Sequence, residues 1–177
     1  IPTGGLPGDG DTLYYDIIVL DGCNPGKEKT PQIAGETGMK VGVIGGGSYL
    51  WAYGLIRQFV ESSHLADAEL VLMDINPTAL DLVAAAGQAT IQARGSPPRL
   101  RSTLQMEEAL DGADFVVVSI STGGLDAMAH DLAIPEDFGI LHTVGDTVGP
   151  GGWLRAVRNI PVFHSLAEAM SRLCPQA

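Results

Sequence analysis

The sequence predicts a doubly wound α/β fold, a parallel sheet of the Rossmann type with helices on both faces. Three observations carry that expectation. Met39 to Tyr49 reads MKVGVIGGGSY, a short β-branched run that ends in three glycines and opens onto an apolar segment of helical spacing. Glu69 to Asp74 (ELVLMD) is a second apolar run closed by an acidic residue, and Asp114 to Ile120 (DFVVVSI) is a further one. Strands that alternate with helices build a parallel sheet through right-handed crossovers. Ligands of such sheets bind at the carboxyl ends of the strands, the edge that Gly45–Ser48, Asp74 and Ser119–Gly124 share.

Composition bounds the possibilities. The chain has 177 residues, enough for one domain with a substantial core, and is 45% hydrophobic with 23 glycines, as tight-turned α/β proteins are. Its formal charge of −11 argues against nucleic acid and against an anionic membrane surface as partners. No run approaches the apolar length of a membrane span, and no basic-then-apolar leader precedes the glycine turn. Cys23 and Cys174 are too few for a disulfide scaffold, so a cytoplasmic setting is expected.

Residues 1–38 read as an extension or linker of unassigned role, rich in Gly and Pro, with one strand-like stretch at Leu13 to Leu20 (LYYDIIVL). A lone strand cannot bury itself, so it either joins a sheet edge or stays unfolded. Residues 39–177 read as the dinucleotide-binding domain. Lys40–Ile44 is a strand apolar enough to be buried on both faces, and Tyr49–Ser62 is a helix. Strand Glu69–Asp74 leads to helix Pro77–Arg94, with Asn76 as N-cap and Pro77 at the first position. Gly95-Ser96-Pro97-Pro98 ends that helix. Arg99–Leu104 is a strand, Gln105–Leu110 a short helix and Asp114–Ile120 another strand. Thr147–Gly152 reads as a small-residue loop before a helix from Trp153 to Leu173.

The glycine turn carries the chemistry. A strand, a tight turn and a helix place a pyrophosphate at the helix N-terminus, where free N–H groups and the helix dipole favour an anion. Gly45 allows the sharp turn and Gly47 a close backbone approach, while Leu50 stands where a third glycine is usual. Asp74 falls where a carboxylate holds the adenosine ribose hydroxyls, which favours NAD over NADP because it repels a 2′-phosphate. The candidate cofactor contacts are therefore Gly45, Gly46, Gly47, Ser48, Tyr49, Asp74, Ile75, Asn76, Ser119, Ile120 and Ser121. Taken alone, Gly45–Ser48 also fits an ordinary strand-to-helix turn, the lesser of the two readings. Arg155 and Arg158 either hold a substrate or phosphate group or are solvated or ion-paired helix residues.

From Met39 onward the chain resembles glycoside hydrolase family 4. The matching residues are VGVIGGGSY, DIN at 74–76, FVVVSISTGG, D-x-x-IP at 131–135 and above all GDTVGPGGWLRAVRNIPV. The resemblance implies the N-terminal, nucleotide-binding part of a larger enzyme that cleaves O-glycosidic bonds. It implies NAD-dependent oxidation at C3 of the sugar, elimination and water addition, assisted by a divalent metal, usually manganese (Mn2+). It also implies that the metal ligands and the acid and base lie beyond residue 177, after an asparagine-proline segment, with no metal ligand in this chain. Cys174 then reads as a structural helix-end cysteine, and His64, His130, His142 and His164 do not match the family's metal histidine.

Members acting on phosphorylated sugars often carry an arginine in the stretch matching Ala127 to Asp131, which here reads AMAHD, so a non-phosphorylated glycoside is expected. Asp131 is the candidate substrate contact, with capping of the next turn as its alternative. The expected partners are a small-molecule glycoside and a second copy of the chain, a homo-oligomer for which apolar helices such as 49–60 leave room. Two other readings stand beside this one: an NAD-dependent 2-hydroxy-acid dehydrogenase of the lactate/malate type, and a non-catalytic nucleotide-binding fragment.

Overall fold

A computed structural model describes residues 18–19, 38–95, 98–145 and 147–177. Five strands form one sheet: β1 (Ile18–Val19), β2 (Lys40–Ile44), β3 (Glu69–Met73), β4 (Arg99–Thr103) and β5 (Phe115–Val118). Their order across the sheet is β1-β5-β2-β3-β4, with β2 parallel to β3 and β5, β3 parallel to β4, and β1 antiparallel to β5. The helices are α1 (Trp51–Glu61), α2 (Pro77–Arg94), α3 (Met106–Leu110), α4 (Gly124–Asp137) and α5 (Gly149–Leu173). The first parallel strand is thus central, and the chain winds outward from it in both directions, the doubly wound arrangement. Of the stretch expected as a strand at 13–20, Ile18 and Val19 take the sheet-edge position beside Val118 and Val117, and the rest lies outside the described residues.

Burial follows the two-residue period of the strands. Val41, Val43, Leu70 and Leu72 face α1 and α2, where Ala52, Ile56, Phe59, Leu80 and Val83 complete one core. Ile44, Val71, Met73, Val116 and Val118 face the other way, onto α3 and the C-terminal half of α5. Both faces of β2 and β3 are covered, which is why their sequences are apolar without alternation. Gly42 is needed for closeness: a Cβ there would stand 2.7 Å from the Ala109 carbonyl oxygen of α3. The outer strand β4 is polar instead, and Arg101 pairs with Glu69 and Glu108, charges that discourage edge-to-edge pairing.

Several boundaries differ from the expected ones. Strand β3 ends at Met73 and β5 at Val118, which frees Asp74, Ser119 and Ile120 to stand in the loops at the carboxyl edge. Helix α1 starts at Trp51, two residues after the expected start, so Tyr49 and Leu50 belong to the turn. Helix α5 starts at Gly149, earlier than Trp153, with Pro150 in its first turn. Gly151 and Gly152 are buried there because side chains would not fit: a Cβ on Gly152 would be 2.8 Å from the Gly145 oxygen. Helix α4 has no counterpart among the expected elements; it opens on two glycines with positive φ, Gly123 and Gly124, and contains Pro135.

Candidate functional site

The turn after β2 is built from backbone hydrogen bonds that only glycines accommodate. Gly45 has φ +96°, and its N–H and that of Gly46 both donate to the Met73 carbonyl, at 2.9 and 2.8 Å. A Cβ on Gly45 would lie 1.9 Å from the Ser119 oxygen, and one on Gly46 2.7 Å from the Leu72 Cβ. The Gly47 N–H donates to Asp74 Oδ2 at 2.8 Å, and a Cβ there would crowd that same oxygen at 2.9 Å. The other oxygen, Oδ1, accepts from the Asn76 N–H at 2.9 Å. Asn76 in turn caps α2, its Oδ1 accepting from the Ala79 N–H at 3.1 Å.

The N-terminus of α1 faces the open side of this turn. Ser48 uses its N–H on the Gly45 carbonyl, while the N–H groups of Tyr49 and Leu50 have no acceptor among the described residues. Both residues are exposed, Tyr49 at 71%. Unsatisfied donors at a helix start, with no Cβ on the adjoining turn, form a cradle for a phosphate. Ile75, next to the carboxylate, is 89% exposed and offers an apolar surface. Beyond β5, the Ser119 N–H donates to the Ile44 carbonyl at 2.8 Å, which brings that loop against Gly45. Ser119 and Ile120 are half-buried and Ser121 is exposed. All the cofactor residues expected from sequence therefore stand on one edge, in three touching loops.

A second cluster joins α4 to α5. Asp131 is only 3% exposed, and Arg158 meets it with both terminal nitrogens, Nη1 to Oδ1 at 2.6 Å and Nη2 to Oδ2. The Arg158 Nε–H donates to the Thr122 carbonyl at 2.7 Å, on the loop after β5. Of the two alternatives left open for Arg158, the ion-paired one is what the structure shows. Asp131, the candidate substrate contact, has both oxygens turned to Arg158. Hydrogen bonding to Arg158 holds its carboxyl below the usual range against the opposing effect of burial, and the charges of Arg158, Arg155 and His130 act in the same lowering sense.

A depressed folded pKa contributes stability that is complete above the ordinary carboxylate range and is lost as pH falls through the depressed value. Asp131→Asn is expected to cost about 2 kcal/mol in urea unfolding at pH 7. That difference should hold from pH 8 to 5 and shrink only below about pH 4, where the unfolded carboxyl protonates. A gap that changes between pH 8 and 5 would contradict the pairing.

The histidines are dispersed. His142 Nδ1 lies 2.5 Å from the Thr143 carbonyl, so that nitrogen carries the proton, and the ring packs on Gly151. His164 lies 3.7 Å from Glu168 on the exposed side of α5. Cys174 is buried at the end of α5 beneath the sheet, and burial pushes its thiol pKa up, partly opposed by Lys40.

The family model described as family 4 glycosyl hydrolase matches residues 40–177, the span from β2 to the last residue of the chain. The chain belongs to family 4 of the glycosyl hydrolases. Among its family 4 relatives, an alpha-galacturonidase of Thermoanaerobacter italicus is 39% identical over 140 residues, covering 79% of this chain and 30% of the relative. The 6-phospho-beta-glucosidase of Escherichia coli is 36% identical over 142 residues, covering 78% of this chain and 31% of that enzyme. The crystal structure of the Bacillus subtilis protein lplD superposes with a TM-score of 0.71 at 33% identity, over 79% of this chain and 31% of that one. A Thermotoga maritima 6-phospho-beta-glucosidase, solved with NAD and glucose-6-phosphate, shares the fold at 24% identity and a TM-score of 0.68 over 76% of this chain and 31% of its own. This family 4 chain thus spans about 30% of the length of the relatives it matches.

Proposed function

We propose that this chain is the NAD-binding part of a family 4 glycosidase that hydrolyses O-glycosidic bonds. One observation carries the cofactor assignment: the glycine turn is clamped to Asp74, with the Tyr49 and Leu50 N–H groups open beside it. In this reading those two donors hold the pyrophosphate, which the Cβ-free Gly45–Gly47 turn lets approach closely, and Asp74 accepts from the adenosine ribose hydroxyls through its remaining lone pairs. Asn76 fixes the start of α2, Ile75 covers the adenine, and Ser119 to Ser121 line the other half of the dinucleotide. Bound NAD supplies reversible hydride exchange at C3 of the sugar, and a divalent metal such as manganese supplies polarisation of the sugar oxygens. The metal ligands and the groups that move protons are assigned to the part of the relatives' length that this chain does not span.

A non-phosphorylated glycoside is the favoured substrate class. The stretch 127–131 offers no arginine, and the guanidinium nearest to it, Arg158, is neutralised by Asp131. The relatives include both alpha-galacturonidases and 6-phospho-glucosidases, so this choice rests on the chain's own residues. Calorimetric titration of NAD and NADP into the chain tests the cofactor assignment. NAD is expected to bind at least about tenfold more tightly, since Asp74 repels a 2′-phosphate. Equal affinities, or no binding of either, would remove the assignment.

A further inference from the structure

The loop after β5 is held by a residue far along the chain. Arg158 donates from Nε to the Thr122 carbonyl at 2.7 Å, and its two terminal nitrogens are locked by the buried carboxylate of Asp131. Gly123, the next residue, has φ +84°, and a Cβ there would stand 2.5 Å from Ala127 Cβ and 3.6 Å from Arg158 Nε. Asp131 and Arg158 sit on different helices, α4 and α5, so the brace ties both to the loop after β5. Three residues before Thr122, Ser119 touches Gly45 of the phosphate turn. The sheet order places β5 on one side of β2 and β3, with Asp74, on the other. A dinucleotide whose pyrophosphate lies on the Gly45 turn and whose adenosine lies at Asp74 must run its remaining half toward the β5 loop.

We infer that Arg158, held by Asp131, is a positioning residue for the cofactor: it sets the Ser119–Gly123 loop against the half of the dinucleotide beyond the pyrophosphate. It does not touch the cofactor. This rests on the NAD reading above and adds to it a division of labour between the two ends of the molecule. A brace that acts only on one half predicts a split between ligands, whereas a merely structural ion pair predicts uniform loosening. The geometry makes the bidentate, planar guanidinium necessary, since one ammonium cannot reach the carbonyl and both carboxylate oxygens together.

The test titrates NAD and AMP separately into the full chain, its Arg158→Gln variant and its Asp131→Asn variant. Asp131→Asn keeps the side-chain volume and serves if Arg158→Gln does not fold. NAD is expected to weaken about tenfold in the variants, as loss of a charge-assisted contact on the brace implies, while AMP stays within about twofold. Amide hydrogen exchange at Ser119–Gly123 should accelerate in the same variants without ligand. NAD and AMP weakening in parallel, or neither changing, would overturn the inference while leaving the cofactor reading in place. Failure of the unchanged chain to bind NAD would overturn both.

Discussion

Gly45→Ala is expected to abolish NAD binding and to destabilise the fold by about 3–5 kcal/mol. Two costs add. The backbone at this position has φ +96°, which an L side chain adopts only with strain of about 1–3 kcal/mol. The new Cβ would also lie 1.9 Å from the Ser119 oxygen and 2.6 Å from its carbonyl carbon, backbone atoms with no flexible end to swing away. Relief requires the end of β5 to move off β2, which breaks the 2.8 Å bond from the Ser119 N–H to the Ile44 carbonyl. Overpacking of this kind costs about 1–3 kcal/mol, and the total is a large share of the roughly 5–15 kcal/mol that holds a domain of this size together. Gly95→Ala is the control. Gly95 has φ +68° but, among the described residues, nothing within 4 Å of its added Cβ, so only the backbone strain of about 1 kcal/mol applies. Urea unfolding of both variants checks the argument; equal midpoints for the two would show that the contact with Ser119 carries no weight.

The contrast between those two glycines also explains what the sequence makes legible. Gly45, Gly47 and Asp74 were readable because their requirements are local: a strand, a turn and an acidic residue at the next strand end follow from short stretches. The sheet is readable because β2 and β3 are buried on both faces and β5 buries Val116 and Val118 on one, and their apolar runs say so. Helix α4 gives no such signal. Its apolar residues Leu125 and Ile134 are exposed, its buried residues are Asp131 and Pro135, and its attachment is an ion pair with a residue of α5. A helix held by a tertiary charge pair has no periodicity to betray it. The start of α5, at Gly149 and not at Trp153, is hidden for a related reason. Glycine disfavours helices, but Gly151 and Gly152 are there to let His142, Gly145 and Thr147 approach, and that need arises only in three dimensions. The sequence leaves the role of Arg158 open, and only Asp131 and the Thr122 carbonyl decide it.

Asp74→Ala is expected to weaken NAD about 100-fold and to bring NAD and NADP to nearly equal affinity. The carboxylate accepts one N–H on each oxygen, from Gly47 at 2.8 Å and from Asn76 at 2.9 Å. Each oxygen keeps a second lone pair, and in the proposed complex these take the two ribose hydroxyls. Hydrogen bonds to a charged acceptor contribute about 1.5–3 kcal/mol each, so two of them exceed the roughly 2.7 kcal/mol of a 100-fold change, with water in the vacated space returning part. Removing the charge also removes the repulsion of a 2′-phosphate, which is why the two cofactors converge. The effect on folding should be smaller, about 1 kcal/mol, because Asp74 is half-buried and the freed N–H groups of Gly47 and Asn76 can turn to water. Asp74→Asn sharpens the point. Its amide presents one oxygen and one NH2 to two N–H donors, so one of the two clamps must fail whichever way the amide is turned. Calorimetry with both nucleotides separates these contributions. If Asp74→Ala binds NAD within about threefold of the unchanged chain, the carboxylate only ties the turn to α2, and the adenosine ribose must be held elsewhere on the edge.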